Sequence, residues 1–325
     1  MLKSLLNNKF FAFLKLIRVG NLIMIGLTLF LVRYFILRKI LVSNDFELAI
    51  NQYLFGLIVL STVIIAAAGY IINDYFDVKT DLINHPDTVV VDKILKRRWA
   101  IILHITLSLV GILIGIYCAL KIGYLRLALF HVFAAVLLWF YSTHFKRQLI
   151  IGNCVVSVLS AAVVFMPLIF EMGLMQKLNP NFVFNNYLVF LSALKATFIF
   201  ALFAFFTTLT REIIKDIEDI EGDKATGCNT MPINLGIPIS KTVALFLILF
   251  IIVFLLFIIY NSIKATLVLL TVQNLYIALL LLCPLIVLMY KLLKAKYSKD
   301  YYYSSLILKF VMLFGLLSSI VFYYY

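Results

Sequence analysis

Six aspartates carry the chemistry that this sequence can offer. In NDYFDVKTD, residues 73–81, Asp74, Asp77 and Asp81 follow at intervals of three and four at the end of a long apolar run. In DIEDIEGD, Asp216, Asp219 and Asp223 repeat that spacing, beginning 142 residues later. On an α-helix, positions i, i+3 and i+7 share a face, so each trio is expected to project its carboxylates together. Asn73, Glu212, Glu218 and Glu221 add oxygens beside them. Carboxylates brought this close repel one another unless cations neutralise them. Hard oxygen donors select Mg²⁺, which keeps several waters and shares its shell with phosphate groups. Two such trios facing each other would hold a diphosphate between metal ions. A charge run at a helix end is usually solvated surface. Two copies with one spacing, both on one side of long apolar helices, favour a site.

Basic residues gather at the same level. TREIIKDIEDIEGDK carries Arg211, Lys215 and Lys224, YSTHFKR carries Lys146 and Arg147, and the loop after the first motif carries Lys93, Lys96, Arg97 and Arg98. Arg211, Lys215 and Lys146 are candidates to grip a departing diphosphate, through Arg forks or Lys point charges. Arg97 and Arg98 fit a plain topological charge bias instead. A dry bundle with aromatic walls would also suit an allylic cation. Tyr70, Phe140, Tyr141, Phe205 and Phe206 are candidates for that wall, although aromatics on membrane helices are more often packing residues.

The elements that must position these groups are membrane helices. Of 325 residues, 64% are hydrophobic and 13% charged, and the mean hydropathy is +1.09. Soluble domains have about 45–50% apolar and about 25% charged residues. Apolar segments of spanning length are expected at 18–38, 52–74, 100–120, 124–141, 149–170, 187–212, 240–260, 265–290 and 303–323, which makes an all-α protein of nine spans in one membrane-embedded domain. No cleavable signal peptide is legible, and the opening MLKSLLNNKFFAFLKLIRVGN reads as an interfacial helix. With the N-terminus on one side and the spans alternating, nineteen Lys and Arg residues, beginning with Lys3, fall on that side and seven on the other. The positive-inside rule then puts the N-terminus and both motifs in the cytoplasm and Tyr325 outside. The net charge of +13 is therefore assigned to membrane topology and not to nucleic acid. Four cysteines and four histidines are scattered without ligand spacing. Four spans separate the two motifs, so spans one to four and five to eight are expected to be a duplicated unit. Nothing in the sequence sets an oligomeric state.

A transporter or channel would use intramembrane acids differently, near the bilayer midplane on broken helices. Here the acids cluster at helix ends among basic residues, which favours an enzyme.

The two aspartate motifs, Asn21 in RVGN and the central LWFYSTHFKRQLIIGN together resemble the UbiA superfamily of intramembrane prenyltransferases, over nearly the whole chain. Within it the chain is most similar to the branch that transfers a geranylgeranyl group to geranylgeranylglyceryl phosphate. The resemblance implies a helical bundle around a central cavity open towards lipid, in a bacterial or archaeal cytoplasmic membrane. It implies a Mg²⁺-bound prenyl diphosphate and a hydrophobic acceptor as substrates. Asn73, Asp74, Asp77 and Asp81 match the first metal site, and Asp216, Asp219 and Asp223 the second. Lys146, after Tyr141, matches a diphosphate-binding residue, and Asn21 would line the cavity. Asp77, Asp81, Asp219 and Lys146 are the expected catalytic groups, with Asp81 the candidate base. The same fold also serves aromatic, quinone-precursor and porphyrin acceptors. The chain departs from the superfamily at Gly20, where proline is frequent, and in the Tyr141–Lys146 spacing, one residue longer than in quinone-pathway members. It also departs at NHPDTVVVDK, where His85, Thr88 and Asp92 stand in a segment that commonly reads NRPxRP, and Lys93 is expected to compensate.

Overall fold

The computed structural model describes residues 9–324, so Lys3 and Tyr325 lie outside the described residues. A short helix α1 (Lys9–Leu16) buries Ala12 and Leu16 and turns Phe10, Phe11 and Phe13 outward. Among the described residues, nine helices are long and apolar enough to cross a membrane: α2 (Val19–Val42), α3 (Gln52–Asn84), α4 (Arg97–Ile122), α5 (Leu125–Thr143), α6 (Ile151–Leu178), α7 (Tyr187–Glu218), α9 (Ile237–Thr266), α10 (Val272–Lys294) and α11 (Ser298–Tyr324). A short helix α8 (Ile220–Ala225) follows α7. The chain is an integral, multi-pass, all-α membrane protein.

Two helices overrun the bilayer. α3 has 33 residues and α7 has 32, about 50 Å each at 1.5 Å per residue, against a hydrocarbon core of about 30 Å. The apolar pattern stops at residues 74 and 212, yet the helices continue to Asn84 and Glu218. Backbone hydrogen bonding outlasts the hydrophobic stretch because the chain carries no Gly or Pro there to end it. The overhang is where the aspartates sit.

Close approach of helices fixes the scaffold. Gly111 and Gly115 on α4 are four residues apart, a small-xxx-small pattern. A Cβ at Gly111 would lie 2.5 Å from Ile65 on α3, and one at Gly115 2.6 Å from the His131 ring on α5. Ser61 on α3 also donates to the Gly111 carbonyl at 2.7 Å. At the far end from the motifs, Arg33 and Glu171 are fully buried and hold the backbone of Ile50 between them, Arg33 donating to its carbonyl and Glu171 accepting its N–H at 3.0 Å.

Over the motifs, the loop after α3 folds inward. Val89, Val90 and Val91 are buried, and Val90 and Val91 pack with Ala12, Leu16, Ile71 and Val78. This segment, which departs from the superfamily's common NRPxRP pattern, is an apolar cap.

Candidate active site

The first trio lies on one continuous helix, as its spacing requires. Asn73 donates to Asp77 Oδ2 at 2.7 Å, and Lys146 reaches the same oxygen from the turn after α5. Arg18, at the junction of α1 and α2, pairs with Asp74 at 2.8 Å. Arg18 holds a left-handed backbone conformation, φ 50°, which costs a non-glycine residue energy and aims its side chain here. Asp81 makes no side-chain hydrogen bond or ion pair among the described residues.

The second trio also turns to one cavity, but from an interrupted helix and not from a continuous one. Asp216 belongs to α7 and Asp223 to α8, and Asp219 stands at the break between them (φ −95°, ψ 9°). The cause is Asn84, the last residue of α3. Its amide accepts from Gly222 N–H at 2.9 Å, a donor that the break leaves free, and donates at 2.9 Å to the Asp219 carbonyl, which also accepts from Asp223 N–H at 3.2 Å. A Cβ at Gly222 would lie 2.5 Å from that amide, so only glycine admits it. Thr80 and Thr226 add a hydroxyl contact at 3.0 Å. Asn153 on α6 donates to Asp216 at 2.8 Å.

All six aspartates line one cavity of about 1020 Å³, with Asn21, Asn73, Tyr70, Tyr141, Lys146, Arg211 and Lys215 also on its wall. Lys93 is not: its amine donates to the Pro86 carbonyl at 2.6 Å on the exposed side of the cap, away from the cavity wall it was expected to supplement. Phe205 and Phe206 pack into the core formed with α9 and α10, and Phe140 is outward-facing, so of the expected aromatics Tyr70 and Tyr141 reach the cavity wall, where Phe130, Phe133, Phe200, Phe203 and Phe310 join them. Tyr70 lies under Arg18, whose guanidinium is 5.2 Å from the ring centre.

His85 is the histidine that spacing passes over. Its Nε2 meets Asp219 at 2.9 Å, and it forms with Glu218 and Asp219 a group whose donor atoms lie within 4.8 Å of one another. That hydrogen bond, against the burial of the ring, raises the pKa of His85. Burial pushes Asp219 upward, but the same bond and Lys215 outweigh it, so its carboxyl titrates below the ordinary value. Burial disfavours the charge of Lys146, and Asp77 and Tyr141 more than reverse this, so it stays protonated. Burial pushes the Asp223 carboxyl up to about 6. Arg18, Lys15, Asn153 and Lys309 were not singled out from the sequence for this cavity, though a lysine inside a span is itself a signal of function.

The sequence profile described as the UbiA prenyltransferase family matches residues 43–321. The chain belongs to the UbiA prenyltransferase family. Among its UbiA relatives, the digeranylgeranylglyceryl phosphate synthase of Sulfurisphaera tokodaii is 32% identical over 241 residues, 73% of this chain and 76% of that one. That of Methanothermobacter thermautotrophicus is 32% identical over 196 residues, 60% of this chain, and the match spans 61% of the relative's length. A solved structure concerned with digeranylgeranylglyceryl phosphate synthase in membranes superposes with a TM-score of 0.61 at 25% identity, covering 95% of this chain and 96% of that one. A UbiA homologue from Archaeoglobus fulgidus bound to DMAPP and Mg²⁺ shares the fold at a TM-score of 0.53 and 15% identity, covering 95% of this chain and 99% of that one.

Proposed function

We propose that this chain transfers a prenyl group from its diphosphate to the hydroxyl of a lipid-soluble acceptor, with Mg²⁺, at the cytoplasmic face of its membrane. The observation that carries this reading is the convergence of both aspartate trios and protonated Lys146 on one cavity that continues among apolar residues. The prenyl group is geranylgeranyl and the acceptor a geranylgeranylglyceryl phosphate, a reading supported by the relatives' names. The excess of basic residues on the motif side supports the cytoplasmic orientation, in a bacterial or archaeal membrane. α3 and α7, the two longest helices, each carry a motif at the same end, which supports a duplicated unit within a single domain.

The donor set fits a hard divalent cation. It consists of carboxylates and the Asn73 carbonyl oxygen, which is buried with no hydrogen-bond partner. Asn73, Asp74, Asp77 and Asp81 on one side, and Asp216, Asp219 and Asp223 on the other, would hold Mg²⁺. When bound, the ion supplies Lewis-acid stabilisation of the leaving diphosphate.

The chain's own groups do the rest. Lys146, fixed against Asp77, offers its remaining N–H donors to the diphosphate. The allylic C–O bond breaks and its electron pair leaves with the diphosphate, whose developing charge these cations stabilise. The faces of Tyr70 and Tyr141 shield the allylic cation. The acceptor oxygen then forms the new C–O bond, and Asp81, a carboxylate without a side-chain hydrogen bond or ion pair among the described residues, takes the hydroxyl proton. The valine cap and α1 keep water out.

Purified protein in lipid, given geranylgeranyl diphosphate, geranylgeranylglyceryl phosphate and Mg²⁺, should yield a doubly prenylated ether lipid by mass, and EDTA should abolish it. Asp77→Ala and Asp219→Ala should abolish turnover in folded protein. Activity retained in both would overturn the metal assignment. Product formed only with aromatic acceptors would keep prenyl transfer and discard the glycerol phosphate.

A further inference from the structure

Lys15, Arg18, Arg211, Lys215 and Lys309 line the cavity without a role in the scheme above. Lys215 on α7 and Lys309 on α11 both line it, and neither has a hydrogen bond or ion pair among the described residues. Lys309 is the twelfth residue of a 27-residue span, close to its middle, where an uncompensated ammonium is costly and marks function.

The helices bring these groups together. Ser298, which opens α11, donates to the carbonyl of Glu218, which ends α7, at 3.2 Å. The two helices therefore meet at one level, α7 rising to it and α11 descending from it. At 1.5 Å per residue, Arg211 lies about 10 Å below that level and Lys309 about 16 Å. Helical side chains lean towards the N-terminus of their own helix. Arg211 and Lys215 thus lean deeper and Lys309 leans up, so they converge on one stretch of wall. Electrostatically, the charged neighbours of Lys309 are Arg211, Lys215, Arg18 and Glu212.

Two further polar atoms point to a ligand there. Arg211 Nε and the hydroxyl of Thr208, one helical turn before it and also on the cavity wall, are buried without partners. Charge decides its nature. Arg211 is balanced by Glu212 at 2.7 Å and Arg18 by Asp74 at 2.8 Å, and Lys215 offsets the charge of Asp219, which leaves Lys309 as the charge on this stretch of wall without a compensating carboxylate of its own. A phosphate monoester carries about 1.5 to 2 negative charges at neutral pH.

We propose that Thr208, Arg211, Lys215 and Lys309 form a subsite for the phosphate monoester of the acceptor, separate from the diphosphate site at Asp77 and Lys146. The inference rests on the glycerol phosphate reading above and adds where the acceptor's charge is held. It makes Lys309 a residue that selects a phosphorylated acceptor over a neutral one. Arg211 and Lys215, expected from sequence to grip the departing diphosphate, serve the other substrate.

The test compares synthetic geranylgeranylglyceryl phosphate with its dephosphorylated alcohol, at saturating geranylgeranyl diphosphate. Lys309→Gln should raise KM for the phosphorylated acceptor by roughly tenfold to a hundredfold, the loss expected for a hydrogen bond to a charged group. KM for geranylgeranyl diphosphate should stay within about twofold, Lys309→Arg should recover most of the acceptor affinity, and Lys309→Gln should lose the preference for the phosphorylated acceptor over the alcohol. Thr208→Val, expected to raise KM for the phosphorylated acceptor and leave that for geranylgeranyl diphosphate within about twofold, keeps the test open if Lys309→Gln fails to fold by size exclusion. A folded Lys309→Gln with an unchanged KM for the phosphorylated acceptor overturns this subsite and leaves the proposed reaction standing. A wild-type protein that ignores the phosphorylated acceptor but prenylates an aromatic one overturns the acceptor reading, and the subsite with it.

Discussion

Asn84 ties the two aspartate motifs together, and its removal gives the sharpest test of the site. Its amide donates to Asp219 O and accepts from Gly222 N at the break between α7 and α8, both at 2.9 Å. Asn84→Ala deletes both bonds. At about 0.5–1.5 kcal/mol for each neutral hydrogen bond, the loss is about 1–3 kcal/mol of local stability. Against nine packed helices this should not unfold the protein. It should let Asp219 and Asp223 drift from the first trio, and a misplacement of about 1 Å costs roughly a hundredfold in rate. We expect kcat to fall between about tenfold and a hundredfold, with a higher Mg²⁺ requirement. Gly222→Ala should act through the same contact, because its Cβ would fall 2.5 Å from the Asn84 amide. The two substitutions should therefore be non-additive, the double variant being about as slow as the worse single one. The assay is single-turnover product formation across a Mg²⁺ titration, with thermal unfolding in detergent as the control. An Asn84→Ala variant with unaltered kcat and Mg²⁺ dependence would refute the idea that this bridge positions the second motif, and full additivity would show two independent effects.

Two other outcomes follow from the packing. A Cβ at Gly152 would lie 2.7 Å from the Phe145 carbonyl and 2.9 Å from the Lys146 Cα. Since backbone atoms yield little, Gly152→Ala should shift Lys146 and lower kcat roughly tenfold or more, measured by steady-state kinetics; an unchanged rate would mean that the turn moves without consequence. Glu171→Leu strands Arg33 in the bundle, which should cost about 3–5 kcal/mol, partly restored by replacing Arg33 as well. Thermal unfolding of the single and double variants checks this, and an equally stable single variant would show that Arg33 finds another partner.

What the sequence determined by itself was whatever depends on composition and local periodicity. Sixty-four per cent apolar residues and nine long apolar runs dictate membrane helices, because continuous runs of about 20 apolar residues fit a helix that satisfies its own backbone in lipid, where a barrel strand needs only about ten. The i, i+3, i+7 spacing placed Asp74, Asp77 and Asp81 on one face of α3, since that motif obeys the helical period throughout. The same spacing brought Asp216, Asp219 and Asp223 to the cavity but did not show the break at Asp219, where Asn84, 135 residues away, bonds the backbone, because local propensity carries no record of such a contact. Lys93 looked available from its charge and position, yet the apolar cap turns it to the Pro86 carbonyl. His85 looked like a weakened basic position, and only the fold of the cap brings it to Asp219. Lys309 read as an isolated lysine in the last span. It became a partner of Arg211 and Lys215 only because α11 starts where α7 ends and runs antiparallel to it, an arrangement set by helix packing and not by spacing along the chain.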